Sequence, residues 1–173
     1  MKSSSQASIR SLSRSALIAA LYVLLTLIFQ PISFGPVQFR IAEALMLLPV
    51  LAADAVPGLF IGCLLANLLG GGIWYDVMLG SLASLLAAIF ARKFRNHCVL
   101  AAAMPVVFNA LIVGPVVYFG YVHPIGTPTN WGVLLSSAAT VGLGELVVCY
   151  AMGLPMVHVL RRLPQELLTG RFD

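Results

Sequence analysis

The chain has 173 residues, 60% hydrophobic and 9% charged, with a formal net charge of +4 and a mean hydropathy of +0.99. Soluble globular domains carry roughly 25% charged residues, so this composition excludes one and describes a membrane bundle without a separate soluble domain. The positive charge does not imply nucleic acid, because the basic residues stand at the ends of apolar segments without interleaved aromatics, as membrane-orientation signals do.

In chain order, Lys2, Arg10 and Arg14 precede the first apolar run, and residues 15–30 are predicted as a span. No small-x-small cleavage site follows before the Pro31–Pro36 turn, so the run is expected to be retained, unlike a signal peptide. Further spans are predicted at residues 41–53, 57–69, 74–91, 99–121 and 132–160. A full crossing takes about 20 residues. The second and third runs are short, and Pro49 interrupts the second, so this pair either crosses fully or forms a re-entrant hairpin. Asp54 favours crossing, because two full spans place it at an interface. Six crossings with both termini cytoplasmic put Lys2, Arg10, Arg14, Arg92, Lys93, Arg95, Arg161, Arg162 and Arg171 inside and leave Arg40 outside. The expected architecture is a single all-α transmembrane domain over residues 1–173, with a basic cytoplasmic segment at 1–14 and a cytoplasmic tail at 161–173.

Small residues recur every four positions at Gly58, Gly62, Ala66 and Gly70, then at Gly80, Ser84 and Ala88, and at Ala16 and Ala20. Such ladders let helices approach closely. The first two read chiefly as intramolecular packing. Ala16 and Ala20, at the cytoplasmic start of the first span, are also placed to meet a partner subunit.

The polar residues inside apolar runs carry the functional signal. Residues 131–160 contain no Lys or Arg, and Glu145 is their only acid. A carboxylate near the middle of a span costs about 2.5–3.5 kcal/mol on insertion scales and marks a buried site or pathway. Arg40 begins the second span, and Glu43 lies one turn deeper on the same face. Asn67 is near the outer end of the third span, Trp74, Tyr75 and Asp76 open the fourth, and Asn109 is near the middle of the fifth. The inner halves lack comparable charges, so the set describes a cavity open outward and closed toward the cytoplasm. Structural readings stand beside this one: an Arg40–Glu43 ion pair, an interfacial belt at Trp74 and Tyr75, a helix cap at Asp76, and interhelical hydrogen bonds at Asn67 and Asn109. The loop at residues 32–39, with Gly35 and Pro36, reads equally as a rigid turn or a cover for a ligand.

Neither of the two lysines follows a Gly-rich loop, so there is no P-loop for ATP. No metal motif and no Ser/His/Asp arrangement occurs, and Cys63, Cys98 and Cys149 are isolated. No enzyme activity, metal or cofactor is expected, and any ATPase is another chain.

The stretches FGPVQFRIAEALMLLPVL, PGLFIGCLLANLLGG, YDVMLGSLASLLAA, PVVFNALIVGP and VGLGELVVCYAMG, in that order, closely resemble the QueT-type queuosine-precursor transporter family. Members are substrate-binding subunits (S components) of energy-coupling factor transporters. The resemblance implies a six-helix fold in the cell membrane that captures a 7-deazaguanine (preQ1, preQ0 or queuine) at the outer face. It also implies partners, namely a transmembrane coupling protein met by Ala16 and Ala20, and two ABC ATPases. On this reading Glu145 or Glu43 accepts the N–H and NH₂ of the guanine-like edge, and Asn109 or Asn67 bonds the oxygen or a ring nitrogen. Asp76 or the other Glu would favour the cationic aminomethyl group of preQ1. Tyr75, Trp74, Phe39 or Tyr150 would stack on the ring. The alternative is a self-sufficient, proton-coupled secondary transporter of a small polar or nucleobase-like solute, with Glu145 or Glu43 carrying the proton.

Overall fold

Backbone N–H and C=O groups in hydrocarbon find partners only within their own helix, so each apolar stretch becomes one. The computed structural model describes residues 2–34, 39–123 and 126–162, without the side chains of residues 2–5 and 7. Gly35, Pro36, Arg171 and most of the expected tail lie outside the described residues. We label six helices α1 (Lys2–Ile28), α2 (Ile41–Val50), α3 (Ala55–Leu69), α4 (residues 74–93), α5 (Cys98–Val122) and α6 (Trp131–Leu160). A single turn, Gln30–Ser33, follows α1, and the described residues contain no strand. Ser8–Ile28, Cys98–Val122 and Trp131–Leu160 are long and apolar enough to cross a membrane.

The expected first span is part of a longer helix. α1 runs unbroken from Lys2, because residues 2–14 contain neither Gly nor Pro. Its N-terminal half is tethered: Arg14 Nε lies 2.8 Å from Asp54 Oδ2, and Ser15 Oγ donates to Asp54 O at 2.6 Å.

α2 is a 3₁₀ helix of ten residues, eight of them buried, and so occupies the middle of the bundle. Its rise of about 2.0 Å per residue gives about 20 Å of length, where an α-helix would give about 15 Å. Wound this way, ten residues run alongside α4 from the level of Asp76 to that of Arg92. Arg40 begins α2 at one end, and Arg92 Nη1 caps the other by donating to Pro49 O at 3.0 Å.

The small-residue ladders pack helix on helix, as expected. A Cβ on Gly58 would lie 2.6 Å from Ser15 O, and one on Gly62 would lie 2.9 Å from Tyr22 Cβ, so α3 is parallel to α1 in backbone contact. Ser84 Oγ donates to Cys63 Sγ at 3.2 Å, and Gly80 faces Asn67, which makes α4 antiparallel to α3. Gly114 against Ala138 and Gly142 against Ala110 pair α5 with α6, again antiparallel. The turn between α3 and α4 needs Gly71, whose φ is +77°. Arg14, Arg92 and Arg95 gather at one end of the bundle, where Arg161 donates to Arg95 O at 3.1 Å. At the other end Gln30 reaches Gly70 O at 3.2 Å, and Tyr121 reaches Ile73.

Candidate functional site

All six helices send a polar side chain to one place, toward the Arg40 end of the bundle. Arg40, Glu43, Asn67, Asp76, Asn109 and Glu145 are each at most 4% exposed. The outward opening expected at these side chains is therefore not present.

The cluster has two layers. In the outer one, Arg40 Nη2 stands 3.4 Å from Asp76 Oδ2, Arg40 Nε donates to Ser33 O at 3.3 Å, and the guanidinium lies 5.0 Å from the Phe34 ring centroid. Tyr121 donates to Asp76 Oδ2 and accepts from Ile73 N, both at 3.4 Å. Asn67 Nδ2 donates to Asp76 O at 3.2 Å. Several of these contacts are longer than the usual hydrogen bond.

In the inner layer the Tyr22 hydroxyl donates to Glu43 Oε1. Cys149 Sγ lies 3.8 Å from Glu43 O and 3.9 Å from Glu145 Oε2, and Asn109 is buried in the same cluster. The helices widen here. Turns of i→i+5 type start at Asp76 and at Asn109, and another, Val148–Gly153, follows Glu145. Such bulges are common at functional sites, because they re-aim side chains that a regular helix would place elsewhere.

Four buried atoms in the cluster have no hydrogen-bond partner of ordinary geometry: Glu43 Oε2, Asn67 Oδ1, Asp76 Oδ1 and Asn109 Oδ1. Leaving a buried acceptor unmade costs about 1–3 kcal/mol, and native proteins seldom tolerate several together without a ligand or function. All four are acceptors. Their chemical complement is a set of N–H or O–H donors.

Six nominated residues thus converge, and two structural readings of them are corrected. Arg40 pairs with Asp76 on α4, not with Glu43, whose carboxylate is turned toward Tyr22. Asp76 lies within α4 and makes no cap. The structure does not bring the nominated aromatics together. Trp74 and Tyr75 are exposed and stack on each other at 3.8 Å. Tyr150 donates to Val99 O at 2.9 Å, at the basic end. Phe39 is half-buried next to Arg40. Ala16 and Ala20 are exposed on α1, whereas Ser15, Ala19 and Tyr22 are buried.

Sequence reading missed Tyr22, Tyr121 and Cys149. For Tyr22 a signal existed: it stands opposite the Gly58–Gly62 ladder, and a buried phenol requires a partner. For Tyr121 nothing distinguished it from an interfacial aromatic. A separate groove of about 570 Å³ runs between α4 and α5, lined by Tyr75, Leu79, Ile112, Phe119, His123 and Thr127 among others. None of the six clustered residues lines it.

An apolar helical bundle that buries a polar cluster defines a class: a membrane protein with polar groups inside its spans, where functional sites concentrate. Residues 12–162 match the family model described as QueT transporter, and the chain belongs to that family. A relative, the queuosine precursor transporter QueT of Lactococcus lactis subsp. cremoris (strain MG1363), is 38% identical over 73 residues, covering 41% of this chain and 43% of the relative. The matched region is thus less than half the relative's length. No solved structure matches the chain.

Proposed function

We propose that the chain is the substrate-capture subunit, or S component, of an energy-coupling factor importer for a queuosine precursor of the 7-deazaguanine class. The observation that carries this reading is the set of orphaned acceptors in the buried cluster of a QueT-family chain. The family supplies the solute class, and the acceptors fit a heterocycle edge of N–H and NH₂ donors. Glu145 and Glu43 accept from that edge, with Asn109 and Asn67 beside them to bond the oxygen and ring nitrogens. Among the nominated aromatics, Phe39 is the one adjacent to Arg40 and best placed to cover the ring. Ligand enters when the outer layer of Arg40, Asp76 and Tyr121 parts, and its long contacts are suited to that.

In this reading the six helices all cross the cell membrane, the basic end is cytoplasmic, and Arg40 faces outward. Ala16 and Ala20, exposed on α1, dock a transmembrane coupling protein that carries two ABC ATPases. The test is uptake into proteoliposomes. The chain reconstituted with a coupling module should accumulate labelled preQ1 only with ATP, and the chain alone should not. Accumulation by the chain alone under a pH gradient would replace this reading with a proton-coupled secondary transporter.

A further inference from the structure

Tyr22 reaches the polar cluster from α1, although it is neither a carboxylate nor an amide of the cluster. It is fully buried and belongs to an apolar core group with Ala42, Met46, Leu59, Cys63 and Ala66. α1 comes close enough because Gly62 has no side chain: a Cβ there would lie 2.9 Å from Tyr22 Cβ. A buried phenol needs an acceptor. The Tyr22 hydroxyl finds one across the bundle, donating to Glu43 Oε1 on α2. The backbone of Tyr22 is engaged as well, with Thr26 Oγ1 donating to Tyr22 O at 2.9 Å.

Glu43 needs such a holder. Its backbone N–H donates to Arg40 O at 3.0 Å, and Cys149 Sγ lies 3.8 Å from its carbonyl oxygen. The last torsion of a glutamate side chain is broad and two-fold, so a fixed backbone does not decide where each carboxylate oxygen points. With Oε1 engaged by Tyr22, Oε2 is left buried and without a partner. We infer that Tyr22 is a positioning residue of the site: its hydroxyl holds Oε1 and so presents Oε2 to a donor of the ligand. This inference rests on the proposed deazaguanine site, in which Glu43 accepts from the heterocycle edge. A carboxylate held before the ligand arrives loses less freedom on binding. α1 thus contributes to recognition through its buried face as well as to docking through its exposed one.

The test is a double-mutant cycle read by calorimetry in detergent, with preQ1 as ligand and the variants Tyr22→Phe, Glu43→Met and both together. Phe keeps the ring and removes only the hydroxyl, and Met keeps the length of Glu43 without an oxygen to hold. Tyr22→Phe alone should weaken preQ1 binding about fivefold to tenfold, the size of one hydrogen bond's contribution. In the Glu43→Met background the same change should alter affinity less than about twofold. A loss of equal size in both backgrounds would show Tyr22 acting apart from Glu43 and overturn the inference. Unchanged affinity in Tyr22→Phe would overturn it too, and in either case the proposed function stands. Thr26→Val removes another buried hydroxyl from α1 and should leave affinity unchanged; a loss matching that of Tyr22→Phe would mean general loosening of the helix, against the inference. Where a variant of the cycle does not fold, fluorotyrosine at position 22 keeps the hydroxyl, and its fluorine NMR signal should shift when preQ1 saturates the protein. A signal that stays in place would contradict the positioning role. If preQ1 does not bind to demonstrably folded wild-type protein, both the function and the inference fall.

Discussion

Asp76 illustrates what sequence position conveys about a residue and what it does not. An acid at the start of an apolar helix reads as a cap, yet here it is fully buried and held by Arg40 from another helix, 36 positions earlier. Removing one member of a buried ion pair leaves the other uncompensated, which costs about 3–5 kcal/mol, whereas replacing both with apolar groups is often nearly neutral. Asp76→Asn should therefore destabilise the protein by about that amount in chemical unfolding, and Arg40→Met with Asp76→Leu by clearly less. Equal losses would contradict the pairing. The burial of Glu145 was legible in the sequence, because it lies within a long apolar run. The link of Glu43 to Tyr22 was not, because a contact between helices 21 residues apart depends on how they pack.

At the scale of elements, the helices were legible almost to their ends, because long apolar runs admit no other secondary structure. The exceptions have local causes. α1 extends to Lys2 through a stretch free of Gly and Pro, and α2 is wound as a 3₁₀ helix, which a residue count does not reveal. The ladder at Gly58 and Gly62 makes a sharp prediction. Gly62→Leu would push a side chain into Tyr22 Cβ at 2.9 Å and Ala19 Cα at 3.0 Å. Overpacking typically costs about 1–3 kcal/mol, and more against backbone, so this variant should lose most folded protein in size-exclusion chromatography. Ala16→Leu, on the exposed face of the same helix, should leave folding and ligand affinity unchanged. It should abolish ATP-driven uptake with the coupling module. Unchanged uptake would remove Ala16 from the partner interface.

At the scale of the molecule, the basic residues gather at one end and the polar cluster lies toward the other, although no single stretch of sequence states that. The proposed topology follows from this polarity and is open to labelling in intact cells. Thr127→Cys, between α5 and α6, should react with a membrane-impermeant thiol reagent, and Asn96→Cys, between α4 and α5, should not. Cys63 and Cys149 are buried, and Cys98 lies at the basic end, so the native thiols should stay silent. The reverse pattern would invert the orientation. The central claim is that the buried cluster captures a deazaguanine, and binding to the isolated chain tests it most directly. Calorimetry in detergent should show tight binding of at least one of preQ1, preQ0 and queuine and little binding of guanine. Glu145→Gln or Glu43→Gln should weaken it about 10–100-fold, the loss of a charge-assisted hydrogen bond. Binding that survives both substitutions would place the ligand elsewhere, and no binding of any of the three to folded protein would contradict the account.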